Sequence, residues 1–361
     1  MQIRIDPTQS PDKRFTVRSL RPVTAARVFV GRSLKETVTA LPRLYNICGG
    51  AQAVAALTAC EYAAGIQIDD RSGAARALLL RVEAIREHLW RILIDWPLAL
   101  DLPTNPAPVA RAMQADNMLR SGLHDALALG GIGTGSPPEV LDALRAIAIE
   151  HVFGEAPETW LNAPGPGRIS TTENRIQALS WEMLGRTEIS ALPVLGLDIW
   201  DARLRSDHDG AFATEPGFDA QPYETGSLAR QLGHPLLAGG SSGLHERWRA
   251  RLIELAMLLC DETRLHSAGL SPEHGQGIAS VEAARGTLIH RVEQRDGNIT
   301  RYQIVAPTEW NFHPQGALSR SLATLDSNDP DTLKRQTRAL VTAIDPCVAF
   351  RIEIVGDTSN A

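Results

Sequence analysis

The sequence predicts an α+β fold that is predominantly α-helical, with short N-terminal strands and a late β-hairpin. Three observations carry this. Long segments repeat apolar residues at helical spacing or are apolar nearly throughout. Short runs rich in Val, Ile and Phe, with turn formers between them, stand near the start. Asp296-Gly297 separates two β-rich runs near the end, a two-residue hairpin signal.

Taken in order, Gln2–Ile5 and 27–31 (RVFVG) read as strands. In 43–65, the run after Gly49-Gly50 is mostly Ala, Val and Leu, so it reads as a helix apolar all round and buried. Residues 76–96 place apolar side chains at i, i+3, i+4 with charges on the other face, which predicts a long amphipathic helix. Residues 130–138 (GGIGTGSPP) break the chain before a helix over 139–152. Residues 163–167 break it again. A capped start at Ser170-Thr171-Thr172-Glu173 then opens a helix to about Leu184. The polar, Gly/Pro-rich 207–243 reads as loop and 244–262 as a strong helix. Residues 286–292 and 300–305 form the hairpin. A last helix, about 331–342, leads into Asp345-Pro346-Cys347. The layout predicts one domain over 1–361, with an N-terminal strand region (1–42), a helical core (43–280) and a hairpin and C-terminal motif region (281–361).

Composition excludes several function classes. The chain of 361 residues is 43% hydrophobic and 22% charged, close to globular averages. A net charge of −6 argues against a general nucleic-acid surface. No apolar stretch reaches the ~20 residues of a membrane helix, so no membrane insertion is expected. Residues 1–15 lack the apolar core of a signal peptide. The four cysteines, Cys48, Cys60, Cys260 and Cys347, lie far apart and form no disulfide framework. The expected compartment is the cytoplasm.

Most standard motifs are absent. Gly239-Gly240-Ser241-Ser242-Gly243 matches GxSxG formally, but a poor strand precedes it, so a loop capping the next helix is expected. The glycines of GGIGTG do not fit GxGxxG. Cys60 and Cys260, inside apolar helices, read as buried inert thiols. His290 and His313 read as satisfied or solvated. Cys48 and Cys347 differ, because each stands where the backbone turns sharply. Cys48 begins the buried helix, where the macrodipole and free N–H groups lower a thiol pKa.

Three ordered stretches carry a resemblance. RLYNICGGAQAVAALTACE (43–61) looks like the first active-site motif of nickel–iron hydrogenase large subunits and the Ala-rich helix after it. ARGTLIHRVEQRDGNITRYQIVAPTEWNFHPQG (284–316) resembles their P-R-G, hairpin, V-P-T-T-W-N stretch. DPCVAFRIE (345–353) resembles their terminal D-P-C-x-x-C-x-x-H. The resemblance implies a reduced large-subunit-like fold. The departures matter more than the matches. Cys48 and Cys347 match cysteines of the family, whereas Tyr45 and Phe350 stand at its other two thiolate positions. Gln52 and Glu353 stand where it has histidine, Asn46 where it has glycine, and Ala284 where it has proline.

Four thiolates surround nickel in that family. Phenol and phenyl do not replace soft thiolates, so a nickel–iron centre and hydrogen turnover are not expected. The family's iron carries two cyanides and one carbon monoxide. Two thiolates would complete five of its six positions. Arg285 matches the arginine beside the diatomic ligands, Thr308 the hydroxyl that bonds a cyanide, and Pro307 precedes it. This pattern resembles the HupK/HoxV-type hydrogenase expression/formation proteins. It implies a non-enzymatic scaffold that transiently binds an Fe(CN)2(CO) unit, without nickel, through Cys48 and Cys347. Implied partners are a HypC-like chaperone and the hydrogenase large-subunit precursor. A metal-free large-subunit mimic, acting only as an interaction module, is the alternative.

Overall fold

A computed structural model of the chain describes residues 1–133, 139–162, 170–237, 241–262 and 265–355. Among these residues nine strands appear: β1 (Gln2–Ile5), β2 (Phe15–Arg18), β3 (Thr187–Glu188), β4 (Ser241–Ser242), β5 (Ser267–Leu270), β6 (Gln276–Ala283), β7 (Gly286–Arg295), β8 (Asn298–Val305) and β9 (Arg351–Ile354). They form sheets ordered β2-β1-β9, β3-β4 and β5-β6-β7-β8. β1 runs antiparallel to β2 and parallel to β9, so the segment after Cys347 lies beside the first strand.

The expected strand at 27–31 is instead the end of a 3-10 stretch, Val23–Phe29, followed by Gly31 at φ +84°. Its apolar residues do not alternate between two faces. Ala26 and Phe29, three apart, are buried, while Val28 and Val30 point out. A three-residue period therefore wins. Helix α1 (Leu34–Leu44) follows, opened by a reciprocal capping box between Ser33 and Glu36.

Helix α2 (Gly49–Ala64) is apolar all round and buried along almost its whole length, as its composition requires. The antiparallel four-stranded sheet packs on it. Contact is so close that a Cβ on Gly277 of β6 would sit 2.0 Å from the Ala59 carbonyl oxygen, so only glycine fits there.

Helix α3 (Asp70–Trp90) corrects the amphipathic expectation. Its Arg76, Glu83, Glu87 and His88 are buried rather than solvated. Burial of charge costs several kcal/mol per ion unless it is paired. Each here has a partner: Arg76 grips Glu61 with two bonds of 2.6 and 2.8 Å, and Glu83 meets Arg120 at 2.6 Å. A π-helical turn, Arg91–Asp95, follows.

The helix from Ser170 stops at Ala178 rather than near Leu184, because Ser180 takes a left-handed φ of +55° and Trp181 turns into the core. Residues 163–167 and 134–138 of the two breaker segments lie outside the described residues. The 207–237 part of the expected loop holds two single-turn helices, Ala211–Thr214 and Ser227–Arg230. Leu244–Cys260 is helical as expected. So is Pro330–Ile344. The hairpin turns at Asp296-Gly297, both at positive φ, and β5 and β6, within the expected helical core, extend it to four strands. Behind the sheet, Trp200, Phe212, Phe218 and Trp310 form an aromatic cluster. Among the described residues no helix is long and apolar enough to cross a membrane.

Candidate functional site

The N-terminus of α2, the segment before the 3-10 stretch, the start of β7, the short helix Pro307–Asn311 and the turn after Asp345 converge. They enclose a cavity of about 360 Å³, at the small end of ligand pockets. Cys48, Cys347, Arg285, Thr308 and Pro307 all line it. Residues 48 and 347, near opposite ends of the chain, thus face one space. Both thiols are free.

Cys48 caps α2 with non-helical backbone. The helix N-terminus does not lower its pKa, contrary to expectation. Burial pushes the thiol up to about 12, against the smaller opposing effect of Arg285. The free N–H groups are already taken, since Gly50 and Ala51 donate to the Glu83 carboxylate at 2.6 and 2.9 Å. That carboxylate needs Gly50, where a Cβ would lie 2.7 Å from Glu83 Oε2.

Arg285 is buried, and each of its three nitrogens has a protein partner. Its Nη1 donates to Cys48 Sγ at 3.0 Å, Nε to Asp345 at 3.0 Å and Nη2 to Glu87 at 2.7 Å. Asn311 Nδ2 donates to the Arg285 carbonyl at 3.2 Å and fixes its backbone. Asp345 also faces Arg91 and Arg251. The three guanidinium groups hold its carboxyl down to about 2 despite burial.

Thr308 lies 2.7 Å from Cys347 Sγ through its hydroxyl, which also accepts the Cys347 N–H at 3.3 Å. With the backbone donating to that oxygen, the hydroxyl hydrogen is free to donate to sulfur. Pro307 opens this short helix at a position that needs no N–H. Trp310, wedged in the aromatic cluster, anchors its far side. Burial raises the Cys347 pKa, with Arg21 the largest opposing charge. Among the described residues no group of three or more His, Cys, Asp or Glu side chains is arranged to hold a metal ion.

A family model described as nickel-dependent hydrogenase matches residues 225–352. The hydrogenase expression/formation protein HupK of Rhizobium leguminosarum bv. viciae is 32% identical, over 94% of this chain and 92% of that one. HoxV of Cupriavidus necator, of the same description, is 31% identical over 94% of each. The chain belongs to the HupK/HoxV family of hydrogenase expression/formation proteins. Solved structures similar in fold to this HupK/HoxV-family chain include two Ni-Fe-Se hydrogenases. That of D. vulgaris Hildenborough superposes with a TM-score of 0.64 at 16% identity, covering 92% of both chains. That of Desulfomicrobium baculatum gives 0.63 at 15%, covering 92% of this chain and 93% of that one. At such identities the likeness shows the fold, which is the large-subunit-like α+β architecture expected from the three motif stretches.

Within this HupK/HoxV-family fold the substituted positions have new partners. Gln52 Oε1 meets His290 Nε2 at 3.1 Å. Phe350 lines a neighbouring pocket with Asp345 and Arg91, divided from the first by Ile47 and Val348, which face both. Glu353 accepts from Gln2 across the β1–β9 pair. Cys260 corrects the buried-thiol expectation: it ends its helix and is only partly covered, whereas Cys60 is fully buried. Ser241 Oγ accepts from Arg186 at 2.6 Å, while Gly239 and Gly240 lie outside the described residues. His313 is half-buried and accepts the Gln315 N–H.

Sequence reasoning missed Arg21, Glu83, Glu87 and Glu309. Glu309 stood inside the quoted PTEWN stretch, and Glu83 with Glu87 formed an i, i+4 pair. Both signals were legible, but charge on a helix reads by default as a solvated face.

Proposed function

We propose that this chain serves hydrogenase assembly as a scaffold. It holds an Fe(CN)2(CO) unit between Cys48 and Cys347 and passes that unit to the hydrogenase large-subunit precursor, after delivery by a HypC-like chaperone. The supporting observation is that two free thiols, each hydrogen-bonded to its own partner, face one cavity with no His, Asp, Glu or third Cys lining it among the described residues. A bare metal ion is poorly served by two ligands. An iron that arrives with three diatomic ligands of its own needs few more.

Binding requires both thiols to lose their protons. Arg285 Nη1 already points at Cys48 Sγ and would offset the new charge. The Thr308 hydroxyl does the same for Cys347. With Tyr45 and Phe350 in place of two thiolates, hydrogen turnover is not part of this reading.

Infrared spectroscopy with iron analysis, on protein purified anaerobically from its own host, tests it. Cyanide and carbonyl bands with iron near one per chain and no nickel are expected. Cys48→Ser and Cys347→Ser should each lose bands and iron while keeping the fold by circular dichroism. Burial of Cys48, which pushes its thiol up to about 12, favours a second reading, a metal-free interaction module. Its mark is colourless, iron-free wild-type protein and a Cys48→Ser variant that still supports hydrogenase assembly.

A further inference from the structure

The cavity has a second cation that the proposed function does not use. Arg21 lines it with its side chain only 6% exposed. Its Nη1 donates to Glu309 Oε2 at 2.9 Å, and its guanidinium carbon lies 5.2 Å from the centre of the Tyr45 ring. Glu309 is itself buried and receives Ser19 Oγ at 3.5 Å. One carboxylate and one aromatic face thus hold the group in place. Among the described residues its Nε and Nη2 donate to no protein acceptor, and only Nη1 is engaged. Arg285 is the contrasting case, because each of its three nitrogens already donates to a protein partner, Cys48, Asp345 or Glu87.

Among the described residues the other polar groups lining this cavity are the two thiols, Tyr45, Gln52 and Thr308, with no carboxylate. Glu309, Glu87 and Asp345 stand behind the arginines. Such a cavity favours an anion over a bare cation, since a buried guanidinium with free N–H groups gains most from a charged acceptor.

We propose that Arg21 is the anion-recognition residue of this cavity, donating from Nε and Nη2 to the terminal nitrogen of a small cyano- or thiocyanato-type anion. That the natural ligand is a cyano-iron unit rests on the function proposed above. The choice of a ligand with a terminal nitrogen rests on it too, whereas anion recognition by Arg21 does not. Arg285 then serves as the brace of Cys48 and not as the contact to the ligand.

The first test titrates thiocyanate, a linear anion with a terminal nitrogen, into metal-free protein by calorimetry. Wild type should show one saturable site. Arg21→Gln should weaken it by about tenfold to a hundredfold, the worth of a hydrogen bond to a charged group. Arg21→Lys, which keeps the charge and loses the fork, should fall between. Removing Arg21 alone leaves Glu309 buried without its ion pair, a folding hazard. The double variant Arg21→Gln/Glu309→Gln removes both charges and should bind as weakly as the single one. Wild-type protein with no saturable site, or folded variants that bind as wild type does, overturn the assignment.

The second test compares infrared spectra of wild type and the double variant purified from the host. A displaced cyanide band, or loss of the iron unit with the thiols still titratable, is expected. Unchanged bands and iron overturn the role of Arg21 and leave the proposed function standing. Wild-type protein without iron, but with thiocyanate binding that depends on Arg21, does the reverse.

Discussion

His290 is fully buried in β7 between two neutral partners. Its Nδ1 lies 2.9 Å from the Tyr302 hydroxyl and its Nε2 3.1 Å from Gln52 Oε1. A neutral ring satisfies both, with Nε2–H donating to Gln52 and Nδ1 accepting from Tyr302. Burial, and after it the charge of Arg21, lowers the pKa from 6.5 to about 3. Between those values the unfolded chain binds the extra proton. The stability this residue contributes is therefore complete above pH 6.5 and is lost as pH falls toward 3. About 2 kcal/mol should be gone by pH 5. His290→Gln should flatten the slope of urea-unfolding free energy against pH between 6.5 and 5. Equal slopes in the two proteins would contradict this account. The residue scale also shows what a sequence hides. Gln52 is legible there only as a missing histidine, because its partner lies 238 residues away. The thiol of Cys48 was misjudged for a related reason: the helix N-terminus was visible, but the Glu83 that occupies it was not.

At the scale of elements, the parts that were legible are those whose physics is local. The all-apolar run of α2 has no exposed face to offer, so it had to be buried. Asp296-Gly297 supplies the two positive-φ residues of a tight hairpin. The cysteine turns stood out locally, whereas the PTEWN stretch marked the site only through its resemblance to hydrogenase large subunits. What failed depends on packing. The charges of α3 pair with Glu61, Arg120 and Arg285 across the fold, and β6, with Gly277 and Ala279 among its residues, was hidden by its small side chains. Gly277 tests the packing directly. A Cβ there would meet the Ala59 carbonyl oxygen at 2.0 Å and the Ala63 nitrogen at 2.6 Å, both backbone atoms that cannot move aside. Gly277→Ala should cost about 1–3 kcal/mol or more, through displacement of the sheet from α2. Gly297→Asn is the matched control, at φ +79° with open space around it. It should shift the urea midpoint little, since Asn tolerates left-handed backbone. Equal shifts in the two variants would mean that β6 does not lie against α2 as described.

Across the whole molecule, one chain of buried charges ties the site to the scaffold. Asp345 receives Arg285 from the start of β7 and Arg251 from the Leu244–Cys260 helix, and faces Arg91 beyond α3. Arg251 continues to His88 at 3.1 Å, and His88 to Glu254 at 3.0 Å. Glu254 in turn holds Arg230, which reaches Glu282 on β6. Asp345 therefore connects both motif ends of the chain to its helical core. It also closes the Pro330–Ile344 helix in left-handed backbone, φ +72°, two residues before Cys347. Asn accepts that conformation, so Asp345→Asn isolates the charge from the turn. Three arginines would then share a site with one carboxylate fewer, and the expected loss is about 3–5 kcal/mol. The folded pKa of about 2 lies below the ordinary 3.8, so this carboxylate's contribution is complete above pH 3.8 and disappears as pH falls toward 2. Wild-type acid unfolding should thus have an early limb from His290 and a later one from Asp345, and Asp345→Asn should remove only the later. Pairing it with Glu87→Gln in a double-mutant cycle should give strong non-additivity, because both carboxylates serve Arg285. Additive losses would show that Glu87 and Asp345 contribute independently, and that the network is a set of separate pairs.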